Sequence, residues 1–299
     1  MRQLYASSLN ISKAQLDVFM NKKRPKEPGD LGKNFPQLLL KQHRLSSSID
    51  TIKLGNSSLS YTEYDPYTAK KGKITLTAFN GYLSNVTNDS LALLQNPWSR
   101  GKFTAFLYGK GRLDFDINFH LTSPAQKYNY SGKLHNMQAK YFNQITRPLA
   151  LLDIASGEAD SATFSVNADY RNASGKMTIF YQDLNIGILK LNRNKKLQRN
   201  TLLSLVANNL LLKEDNPSKG EAPRTGTISY TRPDSVSFYS MIWKSLFSGI
   251  KENIGMTPER EKSLQMQFES FKPDGPPKTR NERKLQRDER RKRRENRKK

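Results

Sequence analysis

The chain has 299 residues, with 50 Lys+Arg against 27 Asp+Glu and no cysteine. This excludes disulfides and thiolate chemistry, and a formal charge of +23 favours anionic partners such as nucleic acid, acidic lipid headgroups or acidic polymers. Only 35% of the residues are hydrophobic and 10% aromatic, which is lean for a compact enzyme but sufficient for a one-layer β structure.

The chain opens on MRQLYASSLNIS, which lacks the apolar core of a signal peptide. No stretch approaches the ~20 apolar residues of a membrane span. The nearest, residues 202–212, is broken by Asn208 and Asn209. Residues 9–19 (LNISKAQLDVF) match residues 52–62 (IKLGNSSLSYT) at an offset of 43, with Leu9 on Ile52, Ile11 on Leu54, Leu16 on Leu59 and Val18 on Tyr61. Two β-hairpins can look alike by chance. Read as a repeat, the match places the start of the chain inside an array that lacks a capping unit, and the expectation is a piece of a longer protein.

A basic Pro/Gly-rich connector follows at residues 22–33, then a short helical turn over 35–41. Residues 49–90 read as three strands, with a turn at Gly55-Asn56 and a break at Lys71-Gly72, because apolar residues alternate with polar ones. A brief helix over 90–96 stops at Pro97. Phe103, Ala105 and Leu107 alternate before a Gly109-Lys110-Gly111 turn, and Leu113, Phe115, Ile117, Phe119 and Leu121 alternate without a break. After a turn at 123–126, Tyr128, Tyr130 and Leu134 form the return strand.

Residues 137–145 read as a helix ended near Pro148. Phe164, Val166, Ala168 and Tyr170 alternate. Residues 172–175 read as a turn into Met177, Ile179 and Tyr181, followed by Leu184, Ile186 and Ile188. Residues 195–208 have helical spacing, 225–230 read as a strand, and 236–254 as an amphipathic helix stopped by Gly255. Pro258 opens another helix through Phe268, and residues 271–277 form a linker. Residues 278–299 carry 13 basic and 4 acidic side chains, so this tail holds +9 and the body the remaining +14.

The expected fold is therefore mostly β: an elongated antiparallel sheet curved into a groove, with C-terminal amphipathic helices and a basic tail. The expected divisions are 1–48 (partial β repeat and connector), 49–255 (β-groove region), 256–277 (helix and linker) and 278–299 (tail).

Residues that carry chemistry are sparse. The polar face of the strand at 113–121 shows Arg112, Asp114, Asp116, Asn118 and His120, and a regular hairpin puts His135 opposite Asp114. Two carboxylates and two histidines are metal-ligand types. However, Asp114 and Asp116 lie about 7 Å apart along a strand and His120 roughly 13 Å further, so the cluster reads as a solvated face. His43 sits in a basic loop. Gly109-Lys110-Gly111 lacks the helix that a phosphate loop requires, and Asn85-Val86-Thr87 is a glycosylation triplet of the kind that arises by chance. The reading is of no catalytic, cofactor or metal residues and no enzyme.

An ordered set of segments resembles the C-terminal part of AsmA-like proteins of the bacterial envelope, the Bacteroidetes-type members above all. The carriers are Ile49-Asp50-Thr51 with Tyr61-Thr62-Glu63-Tyr64, Lys71-Gly72 through Asn80, and Leu83-Ser84-Asn85-Val86-Thr87-Asn88. Further carriers are Tyr130-Ser131-Gly132, Pro148-Leu149-Ala150, Ser156-Gly157, Asn216-Pro217, Arg224-Thr225-Gly226 and the segment WKSLFSGIK at 243–251.

The resemblance implies a periplasmic β-groove protein, anchored in the inner membrane by a helix this chain lacks. It also implies a part in phospholipid movement between the membranes and in outer-membrane homeostasis. Leu113, Phe115, Ile117, Phe119, Leu121, Phe164, Val166, Met177 and Ile179 would then line the groove, where each buried acyl methylene contributes ~0.8 kcal/mol. The same alternation fits an ordinary antiparallel sheet packed on helices. The helix at 236–254 either caps the sheet or dips Trp243 and Phe247, with Lys244 and Lys251, into a membrane interface. The expected partners are phospholipid and a membrane surface. Nucleic acid is an alternative partner through the tail, whose RRKRR run at 290–294 suits phosphates of either source but has no aromatic residue for stacking. A purely structural envelope scaffold is the third reading.

Overall fold

Alternation of apolar and polar side chains assembles into strands, and the strands build one large sheet. The computed structural model describes residues 3–21, 35–43, 45–192, 196–200, 212–234 and 236–257, and Glu259, Arg260, Lys262, Ser263 and Met266 beyond them. Met1–Thr257 is one compact unit and Pro258–Lys299 a second. In the second unit the five described residues are helical. The connector at 22–33, most of the helix expected over 195–208, the rest of the helix after Pro258, the linker and the basic tail lie outside the described residues.

The strands are β1 (Gln3–Ser12), β2 (Gln15–Asn21), β3 (Ser46–Asp65), β4 (Lys70–Thr87), β5 (Trp98–Leu107), β6 (Gly111–His120) and β7 (Tyr128–Gln138). They continue with β8 (Leu152–Ala168), β9 (Asn172–Leu191), β10 (Leu197–Arg199) and β11 (Thr225–Thr231). The helices are α1 (Pro36–Gln42), α2 (Ser90–Gln95), α3 (Asn143–Ala150) and α4 (Phe238–Asn253), with a 3-10 turn at Ala139–Phe142. The fold is mostly β, a curved and unclosed mixed sheet in the order β1-β3-β4-β5-β6-β7-β8-β9-β10. Off this path, β2 pairs with β3 and β11 with β9. The sheet is not wholly antiparallel as expected, because β1 and β2 both run parallel to β3. The division expected at 48/49 falls inside β3.

The offset of 43 has a direct structural meaning. Leu9 pairs with Ile52, Ile11 with Leu54, Leu16 with Leu59 and Val18 with Tyr61, so the two similar segments lie side by side, like on like. The interruption recurs at the same offset. Lys13 (φ 56°) and Asn56 (φ 44°) both take the left-handed conformation, and Ala78 (φ 47°) does so one strand further on. The register shifts at this kink in β3–β4 and again in β4–β5. One extra residue bends the strand and exchanges the residues that face each side.

This corrects three expected turns and two expected helices. Gly55-Asn56 is a bulge inside the continuous strand β3. Lys71-Gly72 lies within β4, and the chain turns at residues 66–69 instead. Residues 172–175 already pair with β8 and β11, and the turn sits at 169–171. Leu197–Arg199, expected as helix, pairs with β9. Met137, also expected as helix, is held in β7 opposite Ala159, and α3 begins only at Asn143. Small and asparagine residues accept positive φ in bulges and turns alike, so their presence does not distinguish the two.

One ladder row shows how the sheet divides its faces. Leu9, Ile52, Leu83, Gly101, Ile117, Tyr130, Val166, Gly175 and Ile228 are successive partners across nine strands. The row beside it, on the opposite face, reads Lys53, Tyr82, Lys102, Asp116, Ser131, Ser165, Lys176 and Thr227. The apolar face is largely covered by helices. At the β6–β7 turn, α1 brings Phe35 edge-on to Tyr128 and Phe238, and Gln37 Nε2 donates to the Gln126 carbonyl at 2.9 Å. At the opposite end of these strands α3 packs on β4, with Leu149 against Gly72. Between them α4 lies along the apolar face.

Candidate functional site

The position of α4 follows from polar groups placed at its ends and middle. Ser237 caps its N-terminus, accepting from the Ser240 N–H at 3.3 Å. The fully buried Arg232 donates to the Val236 carbonyl at 2.7 Å and to the Tyr170 carbonyl, and its guanidinium sits 5.5 Å from the Phe35 ring centroid. In the first turns, α4 meets β3 through Glu63, a carboxylate with no solvent exposure. Glu63 Oε2 accepts from Tyr61 Oη (2.7 Å), Ser240 Oγ (3.1 Å) and Trp243 Nε1 (3.0 Å), and Lys244 Nζ lies 3.8 Å from Oε1.

Midway along the helix, Tyr130 Oη and Ser245 Oγ share a 2.5 Å hydrogen bond. Gly249 then allows close approach, since a Cβ there would lie 2.7 Å from Ile228 Cγ1. At the C-terminus Asn253 is fully buried and takes over where β11 stops. Its Oδ1 accepts from the Ile179 N–H at 3.0 Å, and its Nδ2 donates to the Met177 carbonyl at 2.8 Å. The side-chain amide thus continues the β9 ladder, and Asn216 Nδ2 does the same for the Ile179 carbonyl at 2.6 Å.

With α4 fixed at these points, its contact with the sheet is incomplete. A cavity of about 300 Å³ remains between α4, the sheet and the α3 end. Ile74 and Leu76 of β4, Leu107 of β5, Leu113 of β6, Leu134 of β7, Ala159, Ala162 and Phe164 of β8, and Met177, Ile179 and Ile186 of β9 line one side. Ile242, Trp243, Leu246, Phe247, Ile250 and Ile254 line the other, and Ala139, Phe142 and Ile145 close the α3 end. The polar groups among the lining residues are already engaged. Tyr108 Oη donates to the Lys73 carbonyl (2.9 Å), Thr146 Oγ1 to Asn143 Oδ1 (3.3 Å), and Tyr181 Oη to the Lys213 carbonyl (3.1 Å). Burial pushes the Tyr108 and Tyr181 hydroxyls above the ordinary phenol range, as it does those of Tyr61, Tyr128, Tyr130 and Tyr239. Tyr230 is pushed up to about 12, by burial first and then by the Glu63 charge.

The residues singled out for a groove fall into three groups. Leu113, Phe164, Met177 and Ile179 line the cavity. Phe119, Leu121 and Val166 are buried in the packed core. Phe115 stacks on Phe103 at 5.3 Å and meets Phe79 edge-on at 5.7 Å, while Ile117 is half-buried between Gly101 and Tyr130. Trp243 and Phe247, read as membrane-interface candidates, turn onto the cavity, and Lys244 reaches Glu63. Lys251 is half-buried in the last turn of α4. The lining from β4, and Ala159 and Ala162 of β8, was missed. Its alternation was legible at Ile74 and Leu76, but the small residues Ala159 and Ala162 carry no apolar signal of their own.

The polar cluster takes a different form from a ligand set. His135 Nε2 and Asp114 Oδ2 meet at 2.7 Å, although the residue opposite Asp114 is Lys133 and His135 is a diagonal neighbour. That hydrogen bond, with Arg112 at 3.0 Å, holds the Asp114 carboxyl below its usual range. His120 stacks edge-on to Trp98 at 4.7 Å. Among the described residues no three His, Cys, Asp or Glu side chains converge. The Asn85–Asn88 segment proves to be a fastener. Asn85 Nδ2 donates to the Asn96 and Trp98 carbonyls, and Asn88 ties the α1 exit to β3 by accepting from the Ser47 N–H at 2.7 Å and donating to the Leu45 carbonyl at 3.0 Å.

No family model, no curated protein and no solved structure matches this chain. No helix among the described residues is long and apolar enough to cross a membrane.

Proposed function

We propose that this chain is a non-enzymatic, lipid-carrying protein of the cell envelope, of the AsmA-like type its sequence resembles. It holds phospholipid or passes it between the inner and outer membranes, and so supports outer-membrane homeostasis. The cavity beneath α4 carries this reading. Its lining comes from six neighbouring strands, from α4, and from α3 with the 3-10 turn before it, and its polar groups are already hydrogen-bonded to the protein. Such a space favours a ligand portion that is itself without polar groups, which describes an acyl tail. Transfer into it is driven by burial of methylenes and needs no covalent step. The charge of +23 supports approach to anionic headgroups.

The test is purification of the full chain without detergent, followed by extraction and mass spectrometry of bound lipid. Phospholipid recovered in stoichiometric amount is the expected result. Lipid-free protein that binds RNA tightly, and loses that binding as salt rises, would replace this reading with nucleic-acid binding through the basic tail.

A further inference from the structure

We propose that the uncovered polar face of the sheet, on the side opposite α4, is a docking track for a linear anionic polysaccharide lying across the strands. The cavity belongs to the other face, so neither site depends on the other.

The track is built by the ladder. The polar row from Lys53 to Thr227 has a polar row on each side of it. One reads Ser84, Arg100, Asn118, Asn129, Asn167 and Ser174 from β4 to β9. The other reads Thr104, Asp114, Lys133, Thr163, Thr178 and Thr225 from β5 to β9 and on to β11. None of the side chains in these three rows is aliphatic, none is buried, and Tyr82 is the one aromatic ring among them. With strands about 4.8 Å apart and same-face residues about 7 Å apart, the strip is about 30 Å long and about 14 Å wide. An open strip of that length suits a chain molecule and not an enclosed small ligand.

Charge selects the sign of the occupant. Lys53, Arg100, Lys102, Lys133 and Lys176 are exposed and, among the described residues, form no ion pair. Of the two carboxylates in the strip, Asp114 is already held by Arg112 and His135, which leaves Asp116 opposite Lys102. An anion laid here gains cations that no protein carboxylate has claimed.

Chemistry then selects among anions. A membrane surface calls for apolar side chains that enter the headgroup layer, and the strip offers none beyond Tyr82. Unpaired bases call for several rings to stack on. Sugar hydroxyls donate and accept, and so do Ser, Thr and Asn side chains. Ser131, Thr163, Ser165 and Asn167 spend theirs on no protein partner among the described residues. Tyr82, 45% exposed, presents a ring to the C–H side of a sugar.

The test titrates the full chain with polygalacturonate, neutral dextran, poly(U) and phosphatidylglycerol vesicles. Polygalacturonate should bind and dextran should not. Lys53→Gln, Lys102→Gln and Lys176→Gln made together should weaken polygalacturonate at least about tenfold and flatten its salt dependence, with thermal melting reporting that the variant folds. Tyr82→Ala changes no charge, so it should weaken polygalacturonate about fivefold and leave poly(U) unaffected. It still decides should the triple variant fail to fold. The basic tail also attracts polyanions. A comparison protein carrying Arg290→Gln, Arg291→Gln, Arg293→Gln and Arg294→Gln should therefore keep most of its polygalacturonate affinity.

No binding of polygalacturonate overturns the proposal, as does equal binding of dextran. Binding lost with the tail substitutions and untouched by those on the sheet overturns it too. Poly(U) or vesicles held more tightly than polygalacturonate, and weakened as much by the lysine substitutions, would assign the strip to nucleic acid or to a membrane surface instead. Lipid recovered from the purified protein reports on the opposite face, so each reading can fail while the other stands.

Discussion

The indole Nε1 of Trp243 donates to Glu63 Oε2 at 3.0 Å across 180 residues of sequence. That contact joins the first turns of α4 to β3, at the far side of the sheet from the Asn253 contact with β9. The helix is thus held like a bar across the curve, and the space beneath it is a consequence of where its two ends are tied.

Glu63 is fully buried, and three donors converge on one of its oxygens. Replacing it leaves Tyr61, Ser240 and Trp243 with buried donors and Lys244 without its carboxylate. Glu63→Ala should cost about 3 kcal/mol of stability. Urea unfolding of the full chain checks this, and a loss under about 1 kcal/mol would show that α4 is held by apolar contact instead.

Asn253 is the matching tie. Its amide serves the Ile179 N–H and the Met177 and Gly249 carbonyls. Asn253→Leu keeps the volume and abandons all three, at about 2–4 kcal/mol. Hydrogen exchange at the Ile179 amide should accelerate in step, since β11 ends opposite Thr178 and leaves that side of β9 to the Asn253 side chain.

Gly249→Ala separates two effects of opposite sign. On helix propensity the change stabilises by about 1 kcal/mol. Overlap of the new Cβ with Ile228, 2.7 Å away in the present packing, costs about 1–3 kcal/mol. The overlap should win, giving a net loss of about 1 kcal/mol. Made in an Ile228→Ala background the same substitution should become neutral or stabilising, which a double-mutant cycle reads directly.

Alkaline pH should unfold the protein. The raised hydroxyls of Tyr128 and Tyr130 stay protonated in the fold above the ordinary value of 10.0, while in the unfolded chain they ionise there. A raised folded-state value means that stability is complete below pH 10 and falls as pH rises past it. Each such buried tyrosine costs about 1.4 kcal/mol per pH unit. Tyrosinate absorbance should therefore appear together with loss of secondary structure above pH 10. A smooth titration of all tyrosines near pH 10 in folded protein would contradict their burial.

The Asp114–His135 pair should matter little. Both side chains are more than a third exposed, and Asp114→Asn is expected to change stability by under about 1 kcal/mol by thermal melting.

Much of the sheet was present in the alternation. The strand from Leu113 to Leu121 and the amphipathic helix at 236–254 lie close to where the pattern placed them, because side chains that alternate in polarity fit only a face-divided strand, and a 3.6-residue spacing fits only a helix. The offset of 43 was also legible, down to the four residue pairs. What the sequence left open there was direction and continuity. Nothing local says that residues 9–19 lie parallel beside 52–62, or that Gly55-Asn56 bends a strand and does not reverse it. A bulge and a turn use the same left-handed residue, and only the partner strand distinguishes them.

The candidate site was less legible still. By itself the sequence determined an apolar face, a polar face, a strong positive charge and the lack of thiol chemistry, since these depend on residue type and spacing. The tertiary structure alone decided which part of the apolar face is filled and which is left hollow. That depends on contacts such as Trp243 with Glu63 and Asn253 with Ile179. Their partners are far apart in the chain, and their energies exist only once water has been excluded around them.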